Sequence, residues 1–550
     1  MSKSAKLHKF VVVGGGAGGL ELVTTLGRKL GKHRKAKVYL VDGSPTHIWK
    51  PLLHEVATGA LNVGEDELNY FTHAYSFGYR FHFGFMKGID RNRKVIISDK
   101  IKDLEGNIIS GPRELRYDTL VLAVGGKTNS FGTPGVEEFC QRLDNPIGAE
   151  KLRRRFLGQA IGVALGRDPK IRIGIVGAGA TGVELASEIF HTMTEIRAYG
   201  AKITADQLKI TIMEAAPTVL AGVGEHVSAF AHQELTKKGI DIKTHCMIEK
   251  VTEKGFILGD GSLLETDIKI WTAGIKAHDW LSTLGLKTDR TNRLQVNEYL
   301  QTEDPSIYAF GDCAFAPNIK EPGKTLPASA QCAHQQAEWL AKRLMNDLKG
   351  KSTKPFVFNS QGQLVSLGNS TAVGTVNGLV SKVSLKGKSA KIVYSTLYPA
   401  QNDDCNQFMR DFHRRGPNVV GRLELPTDDL YPKYKLKIGF SSPIRQMAFR
   451  QLRAKDSGTH KEFIIDPMEM QRNGKLLLDV QIRLHRAFGP TSRVTRIVYN
   501  NLALCGDPVD ASDFDFFLST STSTSTLTPF IRPTNITKIK DVGEDEDDIF

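Results

Sequence analysis

Phe10-Val-Val-Val-Gly-Gly-Gly-Ala-Gly-Gly-Leu-Glu21, followed by a helix-like run and then Val38-Tyr-Leu-Val-Asp42, decides how this chain is read. An apolar β-branched strand ends in Gly14, Gly16 and Gly19, and a second short strand closes on an acid 23 residues after Gly19. That order defines a βαβ unit built to hold a dinucleotide, and each part has a physical task. Gly14 permits the tight turn from strand to helix. Gly16 removes a side chain where a pyrophosphate touches backbone, and Gly19 lets the helix lie close to the strand. The helix start offers unpaired N–H groups and the positive end of its dipole. Asp42 is placed to accept hydrogen bonds from a ribose diol.

The pattern occurs twice. Ile171-Arg-Ile-Gly-Ile-Val-Gly-Ala-Gly-Ala-Thr-Gly-Val-Glu184 repeats strand, Gly177, Gly179, Gly182 and helix, and Leu208-Lys-Ile-Thr-Ile-Met-Glu214 repeats the second strand with its terminal acid. Two fingerprints in tandem predict electron transfer between two bound dinucleotides. A carboxylate at Glu214 can bond both ribose hydroxyls, whereas a 2′-phosphate about 4 Å away is repelled by roughly 4 kcal/mol per unit charge at an effective dielectric near 20. The second site is therefore expected to take NADH over NADPH. Gly182 lies 32 residues before Glu214, against a usual interval of about 20, and the excess is assigned to a loop through Tyr199 to Gln207.

Between and after the fingerprints, other stretches point the same way. His47 to Gly59 reads as a loop broken by Pro51 that enters a buried helix through Leu52, Leu53 and Val56. In that reading Lys50 and Pro51 flank the flat ring of the first dinucleotide, and Trp49 and Leu52 shield it. Tyr70 to Ile108 looks like strands and turns. Tyr117 to Gly126 is a buried strand whose glycine end, Gly125, brings backbone close to the same ligand. Thr133-Pro-Gly-Val136 marks a hinge, and Ile268 to Gly274 again runs a strand into a glycine. Ile307 to Phe310 ends at Gly311-Asp312, where an acid can bond a sugar-alcohol hydroxyl. On the helical stretch from Ala328, Gln331, His334 and Gln335 share a face.

The chain has 550 residues, 40% hydrophobic and 24% charged, enough for several domains with a large core. A formal net charge of +13 favours anionic surfaces. No run of 18 apolar residues is present, so no single helix is expected to span a bilayer, and no signal segment fits before Phe10. The six cysteines (Cys140, Cys246, Cys313, Cys332, Cys405 and Cys505) form no closely spaced pair, which argues against a disulfide framework, a metal site or a thiol relay. No nucleic-acid motif is present.

Taken together, Gly14 to Glu21, Trp49 to Gly59, Gly177 to Glu184, Trp271-Thr-Ala-Gly-Ile275, Ile307 to Asp312 and Ala330-Gln-Cys-Ala-His-Gln335 resemble the bacterial type II NADH dehydrogenases, single-subunit NADH:quinone oxidoreductases that do not pump protons. The resemblance runs from about Lys9 to Tyr398. It implies an α/β fold of two Rossmann-like domains, with FAD on residues 1–133 and 297–350, NADH on residues 134–296, and a β-rich region over residues 351–398. Residues 399–550 have no counterpart; their Ser519 to Thr526 alternation and acidic end read as poorly ordered, and Ile444 to Arg453 is a short basic amphipathic run.

The resemblance also assigns residues. Gly14, Gly16, Gly19 and Asp42 would hold the FAD pyrophosphate and adenosine ribose and Asp312 its ribityl-phosphate side, and Gly177, Gly179, Gly182 and Glu214 would hold NADH; Lys50, Gly125 and Gly274 join them as cofactor-binding candidates from the reading of the residues. Glu184 would lie near nicotinamide and flavin, with Lys50 and Gln331 as further catalytic candidates and Gln331, His334 and Gln335 at a quinone. Nicotinamide C4 must then approach flavin N5 to about 3 to 3.5 Å. Expected partners are a membrane quinone and an anionic lipid surface on the cytoplasmic side, with a homodimer compatible and no nucleic acid. The alternatives are an NADH-dependent flavoprotein reductase of a small electron-carrier protein and a non-catalytic flavin-binding protein.

Overall fold

The computed structural model describes residues 7–102, 106–198, 201–368, 371–377 and 382–386, together with four strands between residues 419 and 465. They belong to two compact units, Met1–Asn406 and Gln407–Phe550.

The first unit is built on two parallel sheets. In chain order its main elements are β1 (His8–Val13), α1 (Ala17–Leu26), β2 (Ala36–Asp42), α2 (Leu53–Thr58), β3 (Arg80–Phe83), β4 (Thr119–Leu122), α3 (Pro146–Ala164), β5 (Ile171–Val176), α4 (Ala180–Ala198), β6 (Leu208–Met213), β7 (Asp241–Lys243), β8 (Ile268–Trp271), β9 (Ile307–Ala309), α5 (Ala330–Asp347), β10 (Gly362–Ser366), β11 (Ala372–Asn377) and β12 (Lys382–Lys386). One sheet has the order β9-β4-β1-β2-β3 and the other β7-β6-β5-β8. Their central strands are the two fingerprint strands. Phe10 to Val13 and Ile173 to Val176 are buried throughout, because a parallel strand covered on both faces reads as an unbroken apolar run. The registers correspond: Val13 pairs with Val41, and Val176 with Met213, one residue before each terminal acid.

The interval from Gly182 to Glu214 is nine residues longer than that from Gly19 to Asp42. Only part of the excess is loop. The helix after the second fingerprint, α4, has 19 residues, where α1 and the π-turn Gly27–Gly31 together span 15; the connection to the next strand supplies the remainder.

Two stretches cross between the sheets. Leu53, Val56 and Ala57 of α2 are buried with Ile171, Ile173, Val183 and Leu185 of the second fingerprint, and Val365 and Val373 of β10 and β11 join the same core. Ala277, Leu281, Leu284 and Leu294 are buried with Val11, Val41 and Leu122 of the first sheet. The chain thus returns to the first core near Ala277, earlier than the boundary at residue 297. The strand-like expectation for Tyr70 to Ile108 requires correction at its start. Tyr70–Phe77 is an α-helix, capped by the Asn69 side chain on the Thr72 N–H and closed by Gly78 in the left-handed region.

In the second unit, Val419–Glu424, Tyr434–Phe440, Lys455–Ser457 and His460–Ile465 form a four-stranded antiparallel sheet. The amphipathic run Ile444 to Arg453 and the reading of the tail outside these strands lie beyond the described residues.

His73, on the Tyr70–Phe77 helix, is fully buried. Its ring stacks on Phe77 at 4.3 Å and Nδ1 lies 2.9 Å from the Tyr79 hydroxyl. Burial, with a smaller contribution from His47, pushes its pKa down from 6.5 to about 3. The unfolded chain takes up the proton first, so stability falls as pH drops through 6.5 and stops falling only below about 3. Between pH 7 and pH 5 this one group is expected to cost about 2 kcal/mol. A His73→Phe variant followed by denaturant titration at several pH values is expected to show a correspondingly flatter acid limb.

Candidate functional site

Each fingerprint folds into a cradle, and the two cradles have the same geometry. Gly14 and Gly177 both adopt φ +99°, which glycine alone accepts without strain. Their N–H groups donate to Val41 O and Met213 O, both at 2.8 Å. A Cβ on Gly19 would stand 1.8 Å from Gly14 O, and one on Gly182 would stand 2.0 Å from Gly177 O. These glycines therefore let each helix settle onto its own turn. Gly16 and Gly179 differ in kind: a Cβ on either would meet nothing within 4 Å. Here the missing side chain leaves open space, as a pyrophosphate lying on backbone requires. Gly16 is the N-cap of α1 and gives no side-chain cap.

The terminal acids clamp these turns. Asp42 accepts from the Gly15 N–H at 2.6 Å and the Ser44 N–H at 2.8 Å. Glu214 accepts from the Ala178 N–H at 2.6 Å and the Ala216 N–H at 2.8 Å. Each carboxylate thus holds the middle residue of its Gly-x-Gly turn with one oxygen and its own following turn with the other, leaving further lone pairs for a ribose. Burial raises the pKa of Asp42, and the Gly15, Ser44 and Gly43 N–H groups oppose that rise. Tyr70 was not signalled by any sequence pattern. Its hydroxyl donates to Gly15 O at 2.6 Å and braces the first turn from the far side.

Lys50, in the short 3-10 turn Lys50–Leu52, donates from Nζ to Gly126 O at 2.6 Å. Asp312 stands close by: burial raises its pKa and the Lys50 charge opposes the rise. Gly126 admits this approach, since a Cβ there would lie 3.2 Å from that of Asp312. Gly125, Gly274 and Gly311 adopt φ +66°, +67° and +73°, so three strand ends turn sharply at one place. The Gly311 N–H donates to Gln336 Oε1 at 2.9 Å, from a side chain that is itself buried. Gln336 holds the Asp312 turn; its neighbours Gln331 and Gln335 drew attention in the sequence and it did not. Trp49 Nε1 is buried without a hydrogen-bond partner. An orphaned donor next in sequence to Lys50, whose charge acts on Asp312, fits a polar cofactor.

Glu184 is buried on the first turns of α4. One oxygen accepts from the Ser366 N–H at 3.0 Å, and the other lies 3.9 Å from His54 Nδ1. The shared face of Gln331, His334 and Gln335 divides. The Gln331 amide meets the Gln361 N–H at 3.1 Å and Gly362 O at 3.4 Å. Gln335 meets the Asn359 N–H at 3.1 Å and Asn359 O at 2.8 Å. Both glutamines are therefore tied to the strap of residues 359–362, whereas His334 is buried with Nε2 3.6 Å from Glu338. Cys140, Cys313 and Cys332 are buried free thiols, each pushed up to about 12 chiefly by burial. None resembles a reactive thiolate.

Fold and cradles define a two-dinucleotide oxidoreductase. Residues 8–337 match the pyridine nucleotide-disulphide oxidoreductase family. The type II NADH:quinone oxidoreductase of Haemophilus influenzae is 37% identical over 413 residues, covering 71% of this chain and 93% of its own. The Staphylococcus aureus protein of the same name is 31% identical over 393 residues, covering 67% of this chain and 90% of its own. In fold, the chain is similar to the NDH2 of Plasmodium falciparum, solved with NADH, at a TM-score of 0.63 and 18% identity over 74% of this chain and 96% of that one. The chain belongs to the type II NADH:quinone oxidoreductases of the pyridine nucleotide-disulphide oxidoreductase family.

Gly16→Ala and Gly179→Ala should separate ligand space from folding. Each methyl enters open space, so thermal or denaturant stability is expected to change by no more than about 1 kcal/mol. Gly16→Ala is expected to be purified without FAD, and Gly179→Ala to keep FAD and lose NADH binding, as read by absorbance and equilibrium titration.

Proposed function

We propose that the chain binds FAD on the first cradle and NADH on the second and delivers the electrons of NADH to a membrane quinone, without driving protons across the membrane. The observation carrying this reading is the pair of identical glycine cradles, each clamped by its own acid, within one compact unit. When bound, FAD supplies the reversible acceptance of a hydride and release of single electrons. The chain's own residues bind and orient. Gly14, Gly16, Gly19 and Asp42 hold the pyrophosphate and adenosine end, Lys50, Gly125, Gly274 and Asp312 the opposite end, and Gly177, Gly179, Gly182 and Glu214 hold NADH.

Glu184 supplies a buried carboxylate for proton handling beside the nicotinamide. Gln331, His334 and Gln335 form the quinone end, and the engagement of the two glutamines with residues 359–362 supports a site closed by that strap. Among the described residues no helix is long and apolar enough to cross a membrane. With a net charge of +13, the proposal includes peripheral attachment to anionic lipid on the cytoplasmic face, with a homodimer compatible with it.

The test is made on the purified full chain. Oxidised-flavin absorbance is expected to be bleached by NADH without oxygen and restored by a short-chain quinone; protein without flavin, or flavin that NADH does not bleach, overturns the reading. Glu214→Gln removes the repulsion of a 2′-phosphate and is expected to raise the NADPH-to-NADH ratio of kcat/KM at least about tenfold, out of a full repulsion of roughly 4 kcal/mol. Gln331→Ala is expected to raise the KM for quinone roughly tenfold, a loss of about 1.4 kcal/mol, with ferricyanide reduction unaltered. An unchanged KM removes Gln331 from the quinone end.

A further inference from the structure

His54 lies one helical turn beyond Lys50-Pro51, and its side chain is 3% exposed. Nδ1 is 2.9 Å from Pro51 O. A carbonyl only accepts, so Nδ1 carries the hydrogen and Nε2 is the basic nitrogen of the neutral ring. The two ring nitrogens face two carboxylates. Nδ1 lies 3.9 Å from Glu184 Oε2, whose side chain is 6% exposed, and Nε2 lies 3.9 Å from Glu55 Oε1, whose side chain is 29% exposed. An imidazole thus stands between a solvent-reaching acid and a buried one.

Quinone reduction by NADH consumes one proton from solvent in addition to the hydride: NADH, a proton and quinone give NAD+ and quinol. Glu184 is buried, its side chain 6% exposed, and its other oxygen accepts from the Ser366 N–H.

We propose that His54 is the relay and positioning residue that carries this proton from the Glu55 side to Glu184. The inference rests on the reading of Glu184 as the proton-handling carboxylate. Each 3.9 Å gap is beyond hydrogen-bond distance, and side-chain rotation closes it. Nε2 accepts a proton from the Glu55 side to form imidazolium. The Nδ1–H bond then breaks and a bond to Glu184 Oε2 forms. One proton enters, one leaves and no electron moves. The starting tautomer returns by proton exchange, Nε2 releasing its proton to the Glu55 side and Nδ1 taking one up. The Pro51 carbonyl holds the ring in register with the Lys50-Pro51 turn.

The other charged groups around α2 do not compete for this role. From α4, Glu188 is buried one turn beyond Glu184. From α3, Arg153 reaches the Gly59 end of α2 and is held by Glu150 through Nε and Nη2. From β10 the approach to Glu184 is the Ser366 backbone N–H.

The experiment compares His54→Gln, Glu184→Gln and wild type on the full holoenzyme. Turnover with a short-chain quinone, which takes up protons, is set against turnover with ferricyanide, which takes up none. For His54→Gln, quinone turnover near neutral pH is expected to fall at least roughly tenfold and its acid limb to flatten, with ferricyanide turnover retained. A readout independent of turnover is the titration of the His54 resonance in histidine-labelled protein, which is expected to move to lower pH when Glu184→Gln removes the neighbouring carboxylate. The carboxylic-acid band of Glu184 in redox-difference infrared spectra is expected to be lost or slowed in His54→Gln. Equal loss with both acceptors, or wild-type quinone turnover and pH profile in His54→Gln, overturns the relay. Wild-type quinone turnover in Glu184→Gln overturns the reading of Glu184 instead.

Discussion

The hydrogen bond from a turn N–H to a half-buried carboxylate is the constraint on which this molecule depends. Asp42 at Gly15 and Glu214 at Ala178, each at 2.6 Å, fix the backbone of the two glycine turns. A glycine turn is floppy in isolation, since the freedom that lets Gly14 and Gly177 reach φ +99° also lets them leave it. A charge-assisted bond to the end of the adjacent strand removes that freedom without filling the space above Gly16 and Gly179. The acid therefore shapes the cradle before any ribose reaches it, and its second oxygen ties the same carboxylate to the turn that follows. Tyr70 adds a further brace on the first cradle alone.

From these turns the rest follows by packing. Two parallel sheets need helices on their faces and long connections between strands. This chain uses its connections to join the two cores: α2 leaves the first fingerprint unit and buries Leu53, Val56 and Ala57 in the second core, while Ala277 to Leu294 returns the favour to the first. The Lys50-Pro51 turn and His54 consequently stand on an element held from both sides. Lys50 looks to Gly126 and Asp312, and His54 to Glu184, with one short helix setting both distances.

The fold and the two cradles were legible in the sequence because their determinants are local. Apolar strands, glycines at fixed spacing and a terminal acid all sit within one βαβ unit, and a backbone that needs glycine announces it. Even the long interval before Glu214 was readable as an insertion, although a longer α4 shares it with the connection. What the sequence did not disclose depends on contacts between distant segments. Tyr70 on Gly15, Gln336 on Gly311 and Ser366 on Glu184 are separated by 55, 25 and 182 residues. The Tyr70–Phe77 helix escaped notice because its aromatic-rich run reads as strand and only its caps declare a helix. Helical spacing put Gln331, His334 and Gln335 on one face, but could not tell that two of them are spoken for by a later loop.

That engagement has a thermodynamic consequence. With the amides of Gln331 and Gln335 satisfied by the backbone of residues 359–362, any molecule recognised by these amides competes with the chain itself. Its apparent dissociation constant is the intrinsic one divided by the fraction of molecules whose strap has lifted. Affinity at this end of the protein is then tuned by the sequence of a loop that need not touch the ligand, and substitutions that loosen the strap tighten binding.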